Sequence, residues 1–168
     1  VMIQYISSYF FKEKTHLNSF YNRQSGEFTE FWTFEDIEGK VRPTVPVYIL
    51  TSDYTFSAAE EFAYNFQNLK RATIIGESTG GGANPIYFFD LGNGFRASIP
   101  ISKAVNPISK TNWEGVGVQP DVVIDADKSF ELAYKMALEK IKFNIESKYQ
   151  LKEINEQIKK LDEIATNE

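Results

Sequence analysis

The 168-residue sequence predicts an α/β fold that ends in a helical tail, on three observations. An apolar run, Val45-Pro46-Val47-Tyr48-Ile49-Leu50, passes through Thr51-Ser52-Asp53 straight into a segment whose Ala59, Phe62, Ala63 and Phe66 fall on one helical face. Gly92-Asn93-Gly94 separates two apolar segments, a strong hairpin signal. The last Gly and Pro are Gly117 and Pro120, so the final 48 residues contain neither helix breaker.

Taken in order, Met2, Ile3, Ile6, Phe10 and Phe11 recur near helical spacing and predict the end of an amphipathic helix. Residues 15–21 and 27–34, rich in Thr, Phe, Tyr and Trp, flank Asn22 to Gly26 as a hairpin. Residues 45–50 read as a strand of the buried type, and Ala72 to Ile75 as a second one that opens into the loop Ser78 to Ala83. Ile86 to Leu91 then pairs with Phe95 to Ile101. Trp113 to Asp121 reads as loop and Val122 to Ile124 as a short edge strand. Phe130, Tyr134, Ala137, Ile141 and Ile145 mark a helix from 129 to about 147. Leu151, Ile154, Ile158 and Leu161 mark a final helix, either packed on its own domain or offered to a partner as a short coiled coil. The expected division is a body over residues 1–127 and a helical extension over 128–168. Val1 opens in mid-pattern without a cap, so the chain reads as the C-terminal portion of a longer domain.

Composition removes several functions. The 18 basic and 23 acidic residues give a net charge of −5, against a nucleic-acid partner bound by phosphate neutralisation. Residues 1–127 carry 10 basic and 15 acidic groups and 128–168 carry 8 of each, so all the net charge lies in the body. No Cys is present, which excludes a thiolate nucleophile and a Cys-ligated metal. The one His, His16, cannot build a His-rich metal site, and neither metal nor cofactor is expected.

Chemistry concentrates at Ser57. A strand that turns abruptly into a helix puts the first helical residues at the carboxyl edge of the sheet, where free N–H groups can stabilise an oxyanion. The same Ser57-Ala-Ala-Glu60 is also a capping box, a purely structural use. Gly80-Gly81-Gly82 invites a phosphate-loop interpretation, but the Lys-Ser/Thr ending and the following helix are absent; a flexible wall of a peptide groove is the other use.

Thr55-Phe56-Ser57-Ala58-Ala59-Glu60-Glu61-Phe62-Ala63, Arg71 to Ala83 and Glu114-Gly115-Val116-Gly117-Val118-x-Pro120-Asp121 follow one another in order. Together these motifs resemble the C-terminal processing (tail-specific) serine peptidase family, most closely the branch with interphotoreceptor retinoid-binding protein and the tricorn protease core. The resemblance implies a ClpP/crotonase-like twisted sheet flanked by helices, a polypeptide substrate and an exported protein. It makes Ser57 the nucleophile and the N–H of Ala58 one oxyanion donor. Gly80, Gly81 and Gly82 would form a groove wall.

Two departures shape the mechanism. Most of the family uses a Ser-Lys dyad, and the Lys position falls on Gly82; neither Lys70 nor Lys103 lies in a matching motif. The tricorn-like branch uses Ser-His-Glu instead, and Glu114 stands where its acid is expected, the other interpretation being an exposed loop carboxylate. The His of that branch comes from upstream of the motifs, and His16, on a predicted strand, matches none of them. The isolated chain is therefore expected to be inactive. A non-catalytic module for a peptide or apolar ligand is the alternative, and homo-oligomerisation through the last helices a third possibility.

Overall fold

The computed structural model describes residues 1–166. In chain order its elements are α1 (Met2–Ser8), β1 (His16–Asn22), β2 (Phe28–Trp32), β3 (Tyr48–Thr51), α2 (Ala58–Asn68) and β4 (Thr73–Gly76). There follow β5 (Ile86–Gly92), β6 (Phe95–Pro100), β7 (Ser102–Val105), β8 (Val122–Val123), a 3-10 turn at Ala126–Lys128, α3 (Ser129–Lys142) and α4 (Lys148–Thr166). The α/β class is as the sequence predicts. The strands are distributed over three small sheets: antiparallel β2-β1-β7, parallel β3-β4-β8 and the β5-β6 ribbon.

Local chemistry explains the expected hairpins. The Asn22 carboxamide accepts the N–H groups of Gln24 and Ser25 at 2.8 and 3.1 Å, closing the turn between β1 and β2. In the β5-β6 turn Gly92, Asn93 and Gly94 all have positive φ, a conformation that Gly and Asn tolerate best.

Burial departs from the sequence pattern in three places. Residues 45–50 read as a buried strand, yet pairing starts at Tyr48, β3 lies at the edge of its sheet, and Leu50 is 40% exposed. On α2, Ala59 faces solvent while Glu60, Ala63, Asn65 and Phe66 are buried, so the inward face includes polar groups that an apolar pattern cannot reveal. On α3 the aromatic stripe is the outer one: Phe130, Tyr134 and Ile141 are exposed, whereas Ser129, Ala133 and Leu138 face in. Small residues let α3 approach β3 and β4 closely, and α4 lies along α3 with Ile154 buried and Lys135 paired to Asp162. Helix α3 also ends at Lys142, short of the expected 147.

Helix α1 is tied to the first sheet from both sides. Gln4 donates to the Trp32 carbonyl at 3.0 Å, and the Ser8 hydroxyl accepts the Phe34 N–H at 2.8 Å. Phe10 and Phe11 lie past the end of the helix and meet the ring of Phe66 edge-on.

The core positions the loops that matter. Ala63 of α2, Ile74 of β4, Ala83, Ala104 of β7, Trp113 and Val118 form one buried cluster, with Tyr64 against Trp113. Ala83 belongs to the glycine-rich loop, and Trp113 and Val118 to the segment around Glu114. Both loops are thus anchored through buried side chains to the helix that follows Ser57.

Candidate active site

Ser57 sits in a backbone conformation that side chains avoid. After β3, the Ser52 N–H bonds the Thr55 hydroxyl and the Thr55 N–H bonds the Ser52 carbonyl, each at 3.0 Å, folding the chain back before α2 begins. Ser57 then takes φ 54° and ψ −117°. For a residue with a Cβ such a conformation costs about 1–3 kcal/mol, and it persists only where neighbouring bonds hold it. A sharp strained turn between strand and helix lifts the serine hydroxyl out of the chain's path, the arrangement used by nucleophile elbows. Ser57 is exposed, and Ala58, the first residue of α2, has an N–H without an intrahelical acceptor position.

The bonds that hold Ser57 come from Glu60. Glu60 supplies its half of the capping box: one of its oxygens, Oε2, accepts the Ser57 N–H at 2.7 Å and also the Gly82 N–H at 2.9 Å. The other, Oε1, accepts the Thr79 hydroxyl at 2.5 Å and the Gly81 N–H at 2.6 Å. Glu60 is 0% exposed. Burial pushes its carboxyl upward, but the Thr79 hydroxyl and the N–H groups of Gly81, Gly82 and Ser57 outweigh that and hold it below the usual glutamate range. Its stabilising contribution is complete above the ordinary glutamate range and is lost only as pH falls below it.

The glycine loop is shaped from three directions. The amides of Gly81 and Gly82 face Glu60, and that of Gly80 donates to the Thr55 carbonyl at 3.0 Å. The loop's Cα hydrogens face the ring of Phe56: a Cβ on Gly82 would lie 2.2 Å from Phe56 Cζ, and one on Gly80 2.8 Å from Cδ2. Its far side is zipped to the Glu114 segment, where Gly115 N–H donates to the Gly81 carbonyl at 2.8 Å, Thr79 N–H to the Val118 carbonyl at 3.2 Å and Val118 N–H to the Thr79 hydroxyl at 2.7 Å. Glu114 closes the loop, its Oε2 accepting the N–H groups of Ala83 and Asn84 at 2.7 and 2.8 Å.

The structure therefore joins Ser57, Ala58, Gly80, Gly81 and Gly82 through Glu60 and Phe56, and attaches Glu114 to the end of the same loop. The amides of Gly81 and Gly82 hold the chain's own carboxylate, which agrees with the rejection of a phosphate loop from the sequence. His16 is engaged on the β1-β2 sheet, its ring stacked on Trp32 and its Nε2 3.1 Å from the Asn18 carbonyl and 2.9 Å from the Ser19 hydroxyl. Sequence reasoning gave Glu60 only its local capping role and missed Thr79 and Phe56 as parts of the site. Their one signal is position, beside the serine or the glycines.

The model of peptidase family S41 matches residues 4–124. Among solved structures, a Parabacteroides merdae protein assigned as a peptidase aligns with a TM-score of 0.66 at 22% identity, over 81% of this chain and 47% of that one. The photosystem II D1 C-terminal processing protease aligns with a TM-score of 0.57 at 21% identity, over 72% of this chain and 30% of that one. A Bacteroides fragilis protein assigned as an S41 protease aligns with a TM-score of 0.58 at 16% identity, over 96% of this chain and 41% of that one. These likenesses concern the fold, and the chain spans less than half the length of each protein.

Proposed function

The chain belongs to peptidase family S41, and from that membership we propose that it carries the nucleophile and acid of a serine endopeptidase site. Ser57 Oγ attacks the scissile carbonyl carbon and passes its proton to a histidine base supplied by another part of the protein. The resulting oxyanion is bound by the Ala58 N–H. Collapse of the tetrahedral adduct breaks the C–N bond, the histidine gives the proton to the leaving amine, and water releases the acyl group from Ser57. Glu114 orients the histidine and stabilises its charged form, its Oε2 on Ala83 and Asn84 fixing the carboxylate. A Ser-His-Glu mechanism of the tricorn-like branch fits a chain with Gly82 at the dyad lysine's position. The observation that carries the proposal is the strained φ of Ser57 at the start of α2.

Turnover of an unstructured protein substrate by the full-length protein tests it. Wild type is expected to cleave, Ser57→Ala to lose cleavage by about 1,000-fold or more, and the isolated 168-residue chain to show none. Equal cleavage by wild type and Ser57→Ala would sink the proposal. No cleavage by wild type, with saturable binding of peptide or apolar ligand, would favour the non-catalytic module.

Gly82→Lys asks whether the commoner dyad can be rebuilt. Phe56 fills the space a side chain would enter, and Glu60 holds the Gly82 N–H. The variant is therefore expected to cleave no faster than wild type. A faster variant whose rate rises with the titration of a lysine would contradict this.

A further inference from the structure

We infer that Glu60 is a positioning residue for Ser57, joining the serine's own amide and the glycine loop into one rigid unit. The inference rests on the serine-peptidase proposal above and extends it to a group that neither the dyad nor the Ser-His-Glu scheme uses.

Three observations carry it. Glu60 is fully buried, and a buried carboxylate is costly unless each oxygen is hydrogen bonded. Both oxygens are bonded here, to four donors drawn from two separated segments. A local helix cap needs only the Ser57 N–H, so the bonds to Thr79, Gly81 and Gly82 exceed what capping explains. The distribution over the two oxygens is also specific. Oε2 bridges Ser57 to Gly82, and Oε1 bridges Thr79 to Gly81, so a displacement of the loop is transmitted to the peptide plane before Ser57. That plane sets the strained φ of Ser57, and with it the direction of the Ser57 hydroxyl and of the next N–H, Ala58. Thr79 extends the unit to the Glu114 segment, since its hydroxyl donates to Glu60 while accepting the Val118 N–H. Glu60 does not touch substrate. It fixes the groups that do, and misplacement by about 1 Å at such groups costs on the order of 100-fold in rate.

The test uses the full-length protein with two readouts, the second-order rate of labelling by a fluorophosphonate and the amide hydrogen exchange of Ser57, Gly81 and Gly82. Glu60→Gln, which turns one acceptor oxygen into a donor facing other donors, is expected to speed exchange at all three amides and to slow labelling by about tenfold or more. Thr79→Val is expected to slow labelling, and Thr79→Ser, which restores the hydroxyl, to recover it to within about twofold of wild type. Labelling is compared at a temperature where circular dichroism shows every variant folded, so that loss of stability alone does not move it. Unchanged exchange in Glu60→Gln overturns the assignment, whatever the labelling. Faster exchange with wild-type labelling also overturns it, leaving Glu60 a structural cap. A wild type that is not labelled at all refutes the peptidase proposal, and with it the positioning role, while the exchange readout separately shows whether the lock exists.

Discussion

Gly117→Ala is expected to destabilise the fold by more than about 4 kcal/mol, placing it among the most damaging single substitutions available to this chain. Gly117 has φ 71°, and a Cβ there would lie 2.1 Å from the Thr79 carbonyl oxygen and 2.8 Å from its carbonyl carbon. Those atoms are backbone, held by the Thr79 bonds to Glu60 and Val118, and they cannot move without opening the site. Gly115 supplies the internal control. Its φ of 72° is almost the same, but among the described residues nothing lies within 4 Å of a Cβ built on it. Gly115→Ala should therefore show only the cost of left-handed backbone, about 1–2 kcal/mol. Urea unfolding of both variants separates strain from collision. Similar losses would mean that the close approach of the Glu114 segment to Thr79 is wrongly described.

Glu114→Gln is expected to reduce cleavage by about 100- to 10,000-fold while changing stability by under about 1.5 kcal/mol. The substitution is chosen for what it keeps. Both N–H donors, from Ala83 and Asn84, use Oε2, and a carboxamide oxygen can accept both, so the clamp on the loop survives. What is lost is the negative charge that would orient and stabilise a protonated histidine. Glu114→Ala removes clamp and charge together and should lower both stability and activity. If Glu114→Gln cleaves like wild type while Glu114→Ala does not, Glu114 is a loop clamp and another acid serves the histidine.

Much of the fold was legible because local patterns decided it. Gly92-Asn93-Gly94 and Asn22 to Gly26 set their hairpins through turn chemistry, and the strand, turn and helix around Ser57 followed from apolar spacing. Burial was less legible where tertiary packing chose against the pattern. The sequence favours the aromatic stripe of α3 as the inner face, but Ser129 and Ala133 let the helix sit closer to β3 and β4, so the aromatics turn outward. At the proposed site, Ser57, Ala58, the three glycines and Glu114 are named by the family resemblance that their motifs carry. Glu60 was seen only as a cap, because its bonds to Thr79, Gly81 and Gly82 join residues 19 to 22 positions away. Phe56 was hidden for the same reason. Its effect on Gly80 and Gly82 is a matter of space, which no periodicity records.

Whether Ser57 is the nucleophile is read from peptide mapping of the fluorophosphonate-treated full-length protein. A phosphonyl adduct is expected on the peptide that carries Ser57, absent from Ser57→Ala. An adduct on a different serine, or a folded wild type that forms none, would contradict it.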